Sequence, residues 1–424
     1  MKKTNLLILC AASAAILTAW ITPARGGEVD EKRIAKLEAE RKKAAAEQPD
    51  QPQSGALKMY EWGVQRDNWD GTPVVINDVP DFYYDASEVP IADAPVTDPE
   101  PEPDPEPHRG MEEKPVIYFE ASEGMGFGFD VKFTVGDITW MYPKPSRRTD
   151  ASTAQWDSIT VFPDGGDLDK GLPELHSVAK GHWSEFSREG STSTLSVNGE
   201  AERFLFYEGT NSDLPEVDVS QDAEGNIILR NYSCCAVHDL RLRVKVKDAW
   251  RAWYVRAIAE ANGDTPRELK LSDGDAVKLD DTRKPGLLAA EAKAAGLTDS
   301  QSKVFERCWG ESFLQEEKAV LTYRLDQVLL DENYILTVKA PGVTVESKRV
   351  GYKYVAGIDL SRQDDLDALT LLAAGGDKEA TAKLTKSGIS GVGAVRRAML
   401  DKDQPLRKRV NLAQILKAMA GGGH

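Results

Sequence analysis

Apolar positions change their period several times along the chain, and each change marks an element. Lys2 and Lys3 precede an unbroken apolar run from Leu6 to Ile21, followed by small residues at Thr22 and Ala24. That layout predicts a secretory signal peptide over residues 1–24. The run falls short of the roughly 20 residues a bilayer span needs, so cleavage is favoured over retention as an anchor. Residues 25–56 carry the pairs Glu28/Lys32 and Glu38/Lys42 but only Ile34 and Leu37 as an apolar seam, which predicts a charged helical spacer. From Leu57 the pattern turns strand-like, with Lys58 to Val64 and Thr72 to Ile76 as N-terminal strands of a body, residues 57–84. Residues 85–113 form an acidic, proline-rich linker. Within it, Asp98 to Pro107 alternates acid and proline and is extended, because half its residues lack an amide hydrogen.

Residues 114–284 read as a β-rich domain. Phe127, Phe129, Val131, Phe133 and Val135 share one face by strict alternation, and Leu240 to Val246 alternates apolar with basic residues. Such half-buried strands fit an antiparallel sandwich. Over 285–358 the period first becomes helical. Thr298 and Gln301 make a capping box ahead of Val304, Phe305, Cys308, Trp309 and Phe313 on one face. Three strand-like runs then close the sheets. The tail, 359–424, carries helical runs at about 365–374, 377–387, 390–401 and 405–419, separated by glycine and proline turns. The predicted fold is mainly β with α and multidomain: an antiparallel β-sandwich-like body with one packed helix, plus a small C-terminal all-α helical-repeat bundle.

Composition narrows the function classes. With 53 basic against 69 acidic side chains the net charge is −16, which argues against a nucleic-acid partner. Hydrophobic residues make up 41%, enough to build cores, so the chain is not wholly disordered. No second long apolar stretch follows the signal peptide, so no transmembrane segment is expected in the mature chain. The tail departs from the acidic background through Arg396, Arg397, Lys402, Arg407, Lys408 and Arg409. This patch reads either as a solvated face or as a dock for the acidic proline run or an acidic partner.

Two resemblances add to this reading. In the tail, Leu369 to Leu372, Ala380 to Leu384, Gly388, Val395 to Ala398 and Arg407 to Val410 resemble the short HEAT-like repeats attached to many secreted bacterial proteins. The resemblance implies protein binding rather than catalysis. The body resembles an uncharacterised family of exported bacterial proteins through Tyr60 to Gly63, Lys114 to Phe119, Thr139 to Pro143, Arg203 to Gly209 and Cys308 to Phe313. That family brings no assigned catalytic residues, and Glu208 stands where a basic residue is expected.

Candidate chemistry is sparse. Cys234, Cys235 and His238 are the nearest approach to a metal site, with His176 or His182 as the only completions; a hairpin turn with structural or paired cysteines is the alternative. Export permits a disulfide from Cys234 or Cys235 to Cys308. There is no Gly-x-Ser-x-Gly elbow, no His-Glu-x-x-His and no phosphate loop. Gly124 to Gly128 runs into a strand, not a helix, so no nucleotide cradle and no cofactor are expected. The sequence thus points to an exported protein, periplasmic or extracellular, that is non-enzymatic. It would bind a protein or envelope component through a tail patch of Arg396, Arg397, Arg407, Lys408 and Arg409. The alternative is a secreted hydrolase or carbohydrate-active protein, which requires a cleft with two facing carboxylates, one of raised pKa.

Overall fold

The computed structural model describes residues 55–74, 82–92, 110–165, 169, 172, 182–211, 213–246, 249–315 and 318–420. The signal-peptide segment, the charged spacer up to 54 and the acid–proline run lie outside the described residues. The fold is mainly β, with large sheets and a C-terminal helical cluster.

Among the described residues, the central sheet has nine strands. Their order is β13 (Ala249–Ile258), β12 (Val237–Val246), β15 (Val320–Arg324), β17 (Val343–Ala356), β1 (Gly55–Asn68), β3 (Gly110–Ala121), β9 (Leu205–Asn211), β5 (Ile138–Tyr142) and β2 (Tyr84–Asp85). β1 and β17 pair in parallel along their whole length, Gly55 opposite Val343 and Asn68 opposite Ala356, an exception to the antiparallel expectation. β15 and β17 lie mid-sheet, so residues 57–84, 114–284 and 285–358 interleave in one body. A five-stranded sheet follows the order β16 (Tyr334–Lys339), β4 (Met125–Phe133), β6 (Thr153–Phe162), β7 (Thr194–Val197), β8 (Glu200–Glu202). A three-stranded sheet follows β10 (Val217–Gln221), β11 (Ile227–Asn231), β14 (Arg267–Leu271).

Side-chain alternation explains the layers. On one face of the central sheet, Leu57, Met59, Ile117, Phe119 and Leu205 pack with Phe127, Phe129, Val131 and Phe133 of the five-stranded sheet. Further along the same face, Leu240, Leu242, Val244, Leu321 and Tyr323 pack on Val217, Val219 and Leu229 of the three-stranded sheet. The opposite face presents Trp62, Val64, Tyr118, Phe206, Tyr352 and Tyr354. Helices α1 (Trp183–Ser187), α2 (Leu287–Ala294) and α3 (Asp299–Gly310) meet it through Trp183, Leu288, Phe305 and Trp309. The single helix expected over 285–313 is two, because Gly296 at φ +120° turns the chain between them. The capping box forms as expected, with Gln301 N donating to Thr298 Oγ1 at 3.3 Å.

Between the two β-packed cores runs a seam of buried charge. Arg349 and Glu61 pair, and Glu61 also accepts from the Tyr207 hydroxyl. Arg349 Nη1 donates to Leu330 O at 3.0 Å, Tyr334 O at 2.7 Å and Asp331 Oδ1 at 2.9 Å. Lys353 Nζ lies 2.6 Å from Asp67 Oδ2 and 3.3 Å from Gln65 Oε1. Short helix α4 (Gln327–Asn333) supplies Leu330 and Asp331. Buried ions are tolerated only when paired and hydrogen-bonded, so this seam fixes how the two cores meet.

Candidate functional site

The tail helices are α5 (Gln363–Ala374), α6 (Lys378–Thr385), α7 (Gly388–Leu400) and α8 (Leu406–Met419), close to the expected bounds. They build their own core from Leu366, Leu384, Val392, Val395, Leu412 and Leu416. They are also seated on the body. Ile389 enters the core of the three-stranded sheet, and Ser390 N donates to Trp69 O at 3.0 Å. The backbones of Gly388 and Gly71 meet so closely that a Cβ on Gly388, at φ +57°, would lie 2.1 Å from Gly71 N. Gln363 and Gln221 exchange hydrogen bonds of 2.7 and 3.0 Å.

This seating divides the predicted basic patch. Arg396 turns inward to the Pro215 carbonyl and lies over the Tyr232 ring, 4.6 Å from its centroid. Arg397 Nη1 reaches both Asp218 oxygens at 3.1 Å, and its Nη2 reaches Asp367 at 2.9 Å. Both arginines therefore clamp tail to body instead of facing a partner. Arg407, Lys408 and Arg409 occupy the opening turn of α8 behind Pro405, beside Leu406, which is 57% exposed. Cations at a helix N-terminus oppose the macrodipole, so this edge is electrostatically poised for an anion.

The cysteines part company. Cys234 and Cys235, with sulfurs 3.7 Å apart in the turn before β12, pack on the core of the three-stranded sheet. Cys308 packs on the opposite side of the central sheet with the helices. The central sheet separates Cys235 from Cys308, so the expected disulfide between them does not form. Burial pushes the Cys235 thiol up to about 12, which keeps it protonated and a poor metal ligand near neutrality. Among the described residues no three His, Cys, Asp or Glu side chains converge in a metal-holding group. His182 instead caps α1, accepting from Ser184 N at 3.3 Å; His176 lies outside the described residues.

His238 lines a cleft of about 800 Å³ between β12, β13, β15 and α2. The cleft starts from a break in β12, where pairing with β15 slips between His238 and Arg241. There Asp239 adopts φ +49°, a conformation that costs a non-glycine residue about 1 kcal/mol or more. Bulges re-aim side chains, and this one brings Asp239 Oδ2 to 2.7 Å from Arg324 Nε. The Tyr254 hydroxyl is 3.3 Å from Asp239 Oδ1 and 3.2 Å from Glu291 Oε1. Glu291 also pairs with Arg241, whose guanidinium lies 5.4 Å from the Tyr254 ring centroid. α2 is positioned for this by Glu306 of α3, which accepts from Gly286 N at 2.5 Å and Ala289 N at 2.7 Å.

Burial governs the titration of the group. It raises Glu291 above the usual carboxylate range against the pull of Arg241. It pushes Tyr254 up to about 12, helped by Glu291. It lowers His238, and the nearby Arg324 charge lowers it further. The cleft therefore holds two carboxylates on either side of one hydroxyl, each also paired with an arginine.

Sequence reasoning singled out His238 but missed Asp239, Tyr254, Glu291 and Arg324, which come from four separate segments. One signal was present: the clean alternation of β12 begins only at Leu240, and its failure over His238 and Asp239 marks the bulge.

No family model and no curated protein matches the chain. Among solved structures, the Fcho1 Mu homology domain of Danio rerio with bound Eps15 peptide aligns over 73% of this chain and 98% of that chain, at 7% identity and a TM-score of 0.30. Likeness at that level carries no argument about fold or function. No helix among the described residues is long and apolar enough to cross a membrane.

Proposed function

We propose that the chain is an exported, non-enzymatic binding protein whose tail presents Leu406, Arg407 and Lys408 to an acidic protein or envelope component. The observation that carries this reading is the division of the basic residues. Arg396 and Arg397 hold the tail against the body, and Arg407 and Lys408 are left at the opening turn of α8, where the helix dipole disfavours cations. A fixed, basic, partly apolar edge on a chain of net charge −16 suits an anionic surface.

The test is capture from native envelope extract, comparing the 25–424 chain with its R407E/K408E variant by mass spectrometry. Charge reversal is a cleaner perturbation than truncation at Asp359, which would strip Ile389 from the body core. A partner recovered by the parent and lost by the variant supports the proposal. Identical partner sets with both chains would overturn it.

A second reading, a hydrolase or carbohydrate-active protein, is favoured by one observation: Asp239 and Glu291 flank the Tyr254 hydroxyl, and Glu291 is raised. Against it stand the arginine pairs, which engage both carboxylates, Glu291 with Arg241 and Asp239 with Arg324, an arrangement suited to recognition. Turnover of a glycan panel by the parent, abolished in E291Q, would favour this reading over the first.

A further inference from the structure

The His238–Asp239 cleft holds more hydrogen-bonding capacity than its internal partners use. Glu291 is only 9% exposed, yet its Oε2 atom has no hydrogen-bond partner among the described residues. Leaving such an acceptor buried and unmatched disfavours the empty site. On the other side Arg324 engages Asp239 through Nε alone, leaving its two terminal nitrogens without a hydrogen-bond partner among the described residues. Arg256 stands exposed at the rim. Between these poles Leu287, Ala290 and Ala294 of α2 supply an apolar wall.

We propose that this cleft is a binding site for an amphoteric small molecule, an amino acid or short peptide. Its carboxylate would lie on Arg324 and Arg256, its ammonium group beside the Glu291 and Asp239 carboxylates, and its side chain against α2. A guanidinium with two free terminal nitrogens matches a carboxylate in a fork, and a buried anionic acceptor selects for a charged donor. A simple anion would leave Glu291 unmatched, and a simple cation would meet Arg324 and Arg256. The cleft stands apart from the α8 edge, so this inference does not depend on the tail reading.

The experiment is ligand-observed NMR followed by calorimetry, using the full chain with the free amino acids and L-alanyl-L-alanine. The best binder is then compared with its N-acetylated and C-amidated forms. Each blocked form should bind about ten-fold more weakly or worse, the loss expected for one charge-assisted hydrogen bond. R256Q, at an exposed position, should weaken the parent ligand but not the amidated form. E291Q should weaken the parent but not the acetylated form, with its melting curve recorded alongside. Should E291Q fail to fold, the R256Q comparison decides alone. R407E/K408E should bind as the parent chain does. No binder in the panel, blocked forms that bind as well as the parent ligand, or an R256Q effect indifferent to amidation would each overturn the proposal.

Discussion

Arg397→Met tests whether the tail is held to the body by charge. Asp218 is 2% exposed on β10 and accepts two 3.1 Å bonds from Arg397. Without Arg397 its nearest remaining cation is Arg230, at 3.6 Å. Removing one partner of a buried pair costs about 3–5 kcal/mol when the other charge is left uncompensated. Arg230 offsets part of that, so about 2–3 kcal/mol is expected. At about 1.4 kcal/mol per tenfold change, the undocked tail population should rise by roughly 30- to 150-fold. Hydrogen exchange read by mass spectrometry should show α7 and its contact with β10 losing protection, while β4 and β6 keep theirs. The D218N/R397M double variant should regain at least half the loss, because no buried charge is then stranded. Protection in α7 unchanged within about 0.5 kcal/mol, or strictly additive single variants, would refute the clamp.

Three further outcomes follow from the same structure. Gly388→Ala should loosen the tail, because its Cβ would lie 2.1 Å from Gly71 N at a φ of +57°; urea titration should show a loss of about 2 kcal/mol or more. Arg349→Met should destabilise the body by about 3–5 kcal/mol, and E61L/R349M by much less, since the stranded carboxylate is what costs stability; equal losses would refute the charge seam. Asp213 is raised from the ordinary carboxylate range to about 7 by burial, with Glu216 and Asp67 adding. The folded state therefore holds its proton more tightly than the unfolded chain, so stability falls as pH rises from about 4 through about 7. D213N should remove that slope, stabilising the protein at pH 8 by about 2 kcal/mol after allowance for solvent screening and leaving pH 4 unchanged.

Much of the fold was legible because its pattern is local. The alternation of Phe127 to Phe133 predicts β4, and the tail's glycine and proline turns locate four helices to within a few residues. What was not legible depends on contacts distant in sequence. Arg241 and Arg243 alternate with leucines like solvent-facing residues, yet both are buried. Arg241 pairs with Glu291, fifty residues on, and Arg243 donates to the Leu314 and Lys318 carbonyls. Nothing near β1 announces its parallel partner β17, nearly three hundred residues away. The candidate site was half visible for the same reason. His238 was noticed as a rare residue type, whereas Arg324 and Glu291 are ordinary charges until the sheet and α2 bring them to Asp239. In the tail, Arg396 and Arg397 look no different from Arg407 and Lys408. Gly391 and Gly393 mark which side of α7 comes close to other chain segments: a Cβ at Gly393 would lie 2.1 Å from Asp218 Oδ1.

The most direct measurement combines capture with hydrogen exchange on three chains: parent, R407E/K408E and R397M. If a seated tail presents the binding edge, R407E/K408E loses the partner with α7 still protected, and R397M captures it more weakly with α7 exchanging roughly 30- to 150-fold faster. Undiminished capture by R407E/K408E, with its tail seated as in the parent, would contradict the claim.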